Sequence, residues 1–181
     1  MAVRSLRPLL AALLVVMATA GVPKQGRRSP LDGARIVNGA PAFLGQLPHQ
    51  ALVLGDGVVL CGGSLVSEHS VLTAAHCTVN FKKYHIRLGA IHMMEHDDTM
   101  WTTEAIWARA HPEFNAFGKS VNDVAVIFLP EDAPLSSYIS LVELPSFSDL
   151  HNTFEGQRAL VSGWGLDADC KSTDKFTLLH L

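Results

Sequence analysis

Short apolar segments separated by turn residues, at intervals of about ten residues, occupy the chain from residue 36 onward. The segments predicted as strands are 50–54, 62–66, 85–91, 103–110, 124–129 and 158–163, with a weaker one at 176–181. A further strand is predicted to end near Thr73, followed by a short helical turn at 74–77. This spacing is typical of an all-β barrel or sandwich. Segment 124–129 is apolar without interruption, which predicts burial on both faces.

The first twenty residues have the pattern of a secretory signal peptide. Arg4 and Arg7 precede an apolar run at 9–18, which is too short to span a bilayer, and Ala18-Thr19-Ala20 fits a cleavage site. A retained membrane anchor is the alternative, disfavoured by the short run and by Pro23. Residues 21–35, rich in Gly, Pro and charge, are predicted to be a pro-segment. We therefore expect a secreted, extracellular protein with no membrane attachment once the signal is removed.

The net charge bears on nucleic-acid binding, and the cysteine content bears on disulfide pairing. The net charge is −3 and the pI near 6.3, so nothing indicates nucleic-acid binding. There are three cysteines, and disulfides persist in an exported chain. Cys61 and Cys77 are the natural pair, which leaves Cys170 without a partner within the chain. Cys170 is then either a free thiol or one half of an intermolecular bridge.

Five short motifs occur in a fixed order between residues 35 and 165. They are Arg35-Ile36-Val37-Asn38-Gly39, Cys61-Gly62-Gly63-Ser64-Leu65, Thr73-Ala74-Ala75-His76-Cys77, Asn122-Asp123-Val124-Ala125 and Ser162-Gly163-Trp164-Gly165. Together they resemble the motifs of chymotrypsin-like serine proteases. The resemblance implies a double six-stranded β-barrel across a peptidase domain at 36–181. The first barrel would be complete at about 36–135, the linker would cover about 136–156, and the second barrel would only be begun at 157–181.

The same resemblance implies roles for individual residues. His76 would be the general base and Asp123 the carboxylate that orients it, in hydrolysis of protein or peptide substrates without a cofactor. A trypsin-like protease would activate the chain by cutting between Arg35 and Ile36. The alternative is that His76 and Asp123 are remnants of the scaffold. Composition alone favours an exposed Asp123 at a strand entrance.

The nucleophile motif of the family, Gly-Asp-Ser-Gly-Gly, does not occur in the 181 residues. The chain by itself is therefore predicted to be inactive, and strand 158–163 to expose Leu160 and Val161. Besides a serine endopeptidase, two alternatives remain: an inactive homologue that binds a secreted partner, and a non-functional truncated product. Ser64 is not a substitute nucleophile, because Leu65 and Val66 follow it where a nucleophile elbow has Gly.

One polar cluster suggests a metal site and is assigned to an exposed loop instead. It consists of His92, Glu95, His96, Asp97 and Asp98. Some relatives bind calcium in the corresponding loop, but Ala90 and His92 stand here where oxygen ligands would be expected. No metal is therefore predicted. Trp101 and Trp107 are expected to pack in the barrel core.

Overall fold

The computed structural model describes residues 40–115, 121–165 and 178–180. They form short strands with two 3₁₀ turns, Ala75–Cys77 and Phe147–Asp149. The strands are β1 (Ala40–Pro41), β2 (Gln50–Gly55), β3 (Val59–Ser67), β4 (Ser70–Thr73), β5 (Tyr84–Leu88), β6 (Trp101–Ala105), β7 (Trp107–Ala110), β8 (Ala125–Phe128), β9 (Ser162–Gly163) and β10 (Leu179–His180).

Seven of these strands form one antiparallel sheet in the order β6-β5-β2-β3-β4-β8-β7. The two end strands, β6 and β7, are consecutive in the chain with only Ile106 between them. One bent strand therefore pairs with β5 along its first half and with β8 along its second, which closes the sheet on itself. Closure leaves few unpaired edges. This is the first barrel that the sequence predicted, in a chymotrypsin-like all-β fold.

The barrel interior is filled by alternate residues of its strands. Leu65, Ile86 and Ile127 are fully buried there, each from a different strand, because successive strand residues face opposite sides of a sheet. A second apolar cluster lies on the outer face of β2 and contains Leu52, Met93, Trp164 and Leu178. Apolar residues of β2 thus serve two cores.

The small sheet β1-β10-β9 lies against that outer cluster. Two side-chain hydrogen bonds tie it to the barrel: the hydroxyl of Ser162 donates to Gln50 Oε1 at 2.6 Å, and the indole N–H of Trp164 donates to the Ile91 carbonyl at 2.9 Å. The first and last described parts of the chain therefore meet beside the barrel.

Several expectations for the strands are corrected by the structure. The predicted strand 103–110 is two strands, because the chain bends at Ile106 to close the barrel. The prediction that 124–129 is buried on both faces is wrong, since Phe128 is partly exposed and only alternate residues, such as Ile127, face the core. One solvent-exposed face is ordinary for an antiparallel sheet. Trp107 is 72% exposed and packs on Phe128 outside the barrel, whereas Trp101 does pack against the core.

The strand predicted at 158–163 is shorter in the structure. Of 158–163, only Ser162–Gly163 pairs, while Leu160 and Val161 are exposed as expected. Of 176–181, the structure shows Leu179–His180 as a strand. The predicted signal peptide, the predicted pro-segment, the Arg35–Ile36 junction and Cys170 lie outside the described residues. Among the residues that are described, no helix has the length and apolarity needed to traverse a membrane.

Candidate active site

His76 is carried by the 3₁₀ turn that follows β4. Cys77, next to it, is bonded to Cys61 of β3, with an Sγ–Sγ distance of 1.99 Å and a separation of 16 residues along the chain. Before the turn, the Thr73 hydroxyl donates to the Gly62 carbonyl at 2.8 Å. These contacts hold both ends of the segment that carries the imidazole against β3.

The loop after His76 is held by Tyr84. Its buried hydroxyl lies 2.9 Å from the carbonyl oxygen of Thr78 and 3.0 Å from that of Phe81. Burial, with a smaller contribution from the charge of Asp56, raises the pKa of Tyr84, so the phenol remains a hydrogen-bond donor through neutral pH. Sequence reasoning did not identify this residue, because a tyrosine at a strand start has no signature of its own.

Asp123 immediately precedes β8, and strand pairing brings it to His76. In the β4–β8 register, Thr73 is opposite Ala125. His76 follows Thr73 by one 3₁₀ turn, and Asp123 lies just before Ala125, so both side chains project from the same end of the paired strands. The two residues are 47 positions apart in sequence and in contact in space.

Both carboxylate oxygens of Asp123 engage His76. Oδ1 accepts the backbone N–H of His76 at 2.9 Å, and Oδ2 lies 2.7 Å from Nδ1 of the ring. The backbone hydrogen bond and the ring contact hold the pKa of Asp123 below its ordinary value, against a smaller opposing effect of desolvation. The aspartate is therefore an anion wherever the protein is near neutral pH.

The contact determines what the imidazole can do. A carboxylate only accepts hydrogen bonds, so Nδ1 carries the hydrogen in this contact and the neutral ring keeps Nε2 as a free acceptor. The His76 side chain is 59% exposed, so Nε2 can meet a group arriving from solvent. The pair can thus accept a proton and stabilise the imidazolium that results.

The remaining candidate residues have structural explanations. Ser64 lies inside β3, opposite Gln50 of β2 and Leu72 of β4, within the sheet. The polar loop after β5 is organised by Asp97, which is only 7% exposed and accepts the backbone N–H groups of Ile91 and His92. The expectation of an exposed loop is therefore wrong for Asp97.

A third contact in that loop is made by a side chain. Nδ1 of His92 lies 2.8 Å from Asp97 Oδ1. Burial alone would raise the pKa of Asp97, but the hydrogen bonds from His92 and Ile91 outweigh it and lower the pKa overall. The buried carboxylate of Asp97 thus holds the loop together through the hydrogen bonds that it accepts.

Two groups of side chains in the described residues have metal-ligand spacing. Cys61, Cys77 and His76 form one, but the two sulfurs are spent in the disulfide. The exposed Glu68, His69 and Asp132 form the other, and His69 Nε2 already pairs with Asp132 at 2.5 Å. A surface ion pair accounts for that arrangement.

Comparison with known proteins identifies the family. The family model described as Trypsin matches residues 36–181. The chain belongs to the trypsin family. It is 36% identical to a chymotrypsin of Phaedon cochleariae over 134 residues, 72% of this chain and 48% of that protein. It is 34% identical to Kallikrein-7 of Homo sapiens over 163 residues, 88% of this chain and 58% of that protein.

A solved structure, HL collagenase, matches with a TM-score of 0.69 at 33% sequence identity. The match covers 81% of this chain and 61% of the collagenase chain. The chain spans about half the length of the curated relatives it matches. Family membership and the first barrel's fold thus rest on sequence and structure alike.

Proposed function

We propose that this chain carries the general-base half of a secreted serine-type endopeptidase, a hydrolase of peptide bonds in protein substrates. The observation that carries the proposal is the two-point contact of Asp123 with the backbone N–H and Nδ1 of His76. An arbitrary surface ion pair has no need of both oxygens on one histidine. A histidine that must keep one tautomer and one orientation to act as a base does need a carboxylate placed in this way.

In the proposed reaction, Nε2 of His76 takes the proton of a serine hydroxyl as that oxygen attacks the scissile carbonyl. The same nitrogen then returns the proton to the leaving amine. Asp123 stays ionised and stabilises the imidazolium, which its lowered pKa favours. These roles are taken from the archetypal triad of this family.

The serine itself is not among the 181 residues, which contain no Gly-Asp-Ser-Gly-Gly segment. We infer that hydrolysis needs a nucleophile and oxyanion-hole amides from outside this sequence, and that the chain alone is inactive. Loss of the serine lowers turnover by about 10⁶ in such enzymes, and loss of one oxyanion donor by about 10²–10³.

Secretion and activation complete the proposal. Residues 1–20 would direct export, and a trypsin-like protease would cut after Arg35 to free the ammonium of Ile36. The apolar run at 9–18, the Ala18-Thr19-Ala20 site and the Arg35-Ile36-Val37 motif support it. The disulfide of Cys61 and Cys77 also suits an oxidising compartment.

The experiment starts from the transcript that encodes this sequence. Its frame is read for a Gly-Asp-Ser-Gly-Gly segment, and any product containing one is expressed beside the 181-residue chain. Both are treated with immobilised trypsin, the trypsin is removed, and the products are assayed on a panel of peptide amides. We expect turnover only from the product with the serine, and a loss of about 10⁶-fold in its His76→Ala variant.

The exposed His151 supplies the matched control, because His151→Ala removes an imidazole far from the pair in sequence. Full turnover is expected from that variant. Equal activity in the His76→Ala variant, or the absence of the serine motif from every transcript, would overturn the proposal.

One observation favours a second function, binding of a protein partner. Between residues 141 and 161, several large apolar side chains are more than half exposed: Leu144, Phe147, Leu150, Leu160 and Val161. Exposed apolar side chains mark interaction sites when they form a patch. A stable 181-residue product that is secreted as a complex with a second protein would support this function.

A further inference from the structure

Asn122, the residue before Asp123, has an unusual backbone conformation. Its φ is +55°, in the left-handed region that most side chains avoid and that asparagine tolerates better than most. In the sequence, Asn122 is one residue of the motif Asn122-Asp123-Val124-Ala125 and has no predicted role of its own. The structure shows what the conformation does to the chain.

Asn122 forms a tight turn at the entrance to β8. Its carbonyl accepts the N–H of Val124 at 2.8 Å, so Asp123 is the middle residue of the turn. Its side-chain amide donates to the Glu113 carbonyl at 3.2 Å, and the N–H of His111 donates to the Val124 carbonyl at 2.9 Å. The turn is thus tied to the opposite arm of the same loop on both sides.

Packing does not explain the orientation of the Asp123 carboxylate. Its side chain is 31% exposed and that of His76 is 59% exposed, so solvent reaches both. Yet both oxygens meet their partners at 2.9 and 2.7 Å. The carboxylate can make both contacts only if its own backbone points in the right direction. That direction is fixed by the turn at Asn122.

We propose that Asn122 is a positioning residue of the His76–Asp123 pair, acting through its left-handed backbone turn. The proposal rests on the proposed function for its catalytic meaning, but not for its structural content. A residue that disfavours the left-handed region would rotate Asp123 away from its two-point contact. The pair would then lose its fixed tautomer while the barrel stays closed.

The test uses four variants of the full 181-residue chain. Asn122→Gly removes the side chain but keeps the left-handed conformation accessible, whereas Asn122→Val opposes it. Asn115→Val is the matched control, because Asn115 has a φ of +58° in the same loop and its backbone N–H donates to the Val121 carbonyl rather than to Asp123. Asp123→Asn provides the spectrum of a chain without the carboxylate.

The measurement is nuclear magnetic resonance of His76. Two signals report the contact: slow exchange of its backbone amide, and the downfield Nδ1 proton bonded to a carboxylate. In Asn122→Val we expect roughly 5–30-fold faster exchange of the amide, the factor that corresponds to the left-handed penalty, and loss of the Nδ1 signal. Both signals should persist in Asn122→Gly and in Asn115→Val.

Two results would overturn the proposal: both signals unchanged in Asn122→Val, or both lost equally in Asn122→Gly. If the valine variant does not fold, Asn122→Ala replaces it with a smaller penalty and the same expected order. Because the readout needs no turnover, the proposal can fail while peptidase activity is found. It can equally hold while the chain proves to be a binding protein.

Discussion

The pair Gly62-Gly63 in β3 allows a sharp test of the barrel's packing. A Cβ built on Gly63 would lie 2.6 Å from Val71 Cγ1 and 2.9 Å from the Leu72 carbonyl oxygen. The oxygen is backbone of the adjacent strand and cannot move aside. A Cβ on Gly62, which faces outward, would meet only the Gln50 side chain, at 3.3 Å.

The magnitude follows from two opposing effects. Overpacking of this kind costs about 1–3 kcal/mol, and replacing a strand glycine by alanine recovers about 0.5–1 kcal/mol. For Gly63→Ala we expect a net loss of about 1–2 kcal/mol of unfolding free energy, which is a fall in Tm of roughly 2–8 °C. For Gly62→Ala we expect no loss, because only the end of a side chain must shift.

The assay is urea unfolding of both variants and the parent chain, followed by tryptophan fluorescence, with thermal melts in parallel. Equal slopes against urea would show that the same surface is exposed on unfolding. The reasoning is refuted if Gly63→Ala is as stable as the parent, or if Gly62→Ala is destabilised to the same extent. The first result would mean that β3 and β4 are not as close at Gly63 as the structure places them, and the second that the Gln50 side chain cannot shift away from Gly62.

Three further outcomes are expected. Replacing Cys61 and Cys77 together by serine should lower the unfolding free energy by about 3 kcal/mol in denaturant titrations, and an unchanged midpoint would contradict the role given to the bridge. The pKa of Asp97 is lower in the folded chain than in the unfolded chain. Its stabilising effect is therefore complete above pH about 4, the pKa in the unfolded chain, and is lost as the pH falls through the pKa in the folded chain. The stability difference between the parent and Asp97→Asn should accordingly shrink in melts taken below pH 4, and a constant difference would count against it. Among the described residues, limited proteolysis with chymotrypsin should cut first near the exposed Phe147 and Leu150, read by mass spectrometry, whereas a first cut inside β2–β8 would be the opposite of what the barrel predicts.

Much of the barrel could be predicted from local pattern. Segments 50–54 and 62–66 are predicted within a few residues of the observed β2 and β3, because short apolar segments bounded by turn residues mark strands from local sequence alone. The turn carrying His76 was also expected. What these predictions share is that each depends on neighbours only a few positions away.

The errors share the opposite property. The bend at Ile106 and the exposed face of β8 depend on which strands lie on either side, and those partners are distant in sequence. The sequence gives no sign that Asp97 is buried, because its burial depends on the backbone N–H groups that the folded loop places around it. Asn122 could have been singled out only by its φ, which asparagine permits but does not require.

Closure of the barrel has a kinetic consequence. The β2–β3 and β3–β4 pairings join neighbours in the chain, whereas β8 must find β4 across more than fifty intervening residues. Loop closure of this length makes such pairings late and slow. The Asp123–His76 contact is built on the β4–β8 register, so it forms only when β8 docks. The contact of Asp123 with His76 therefore reports folding order, because it forms when β8 pairs with β4 and the barrel closes.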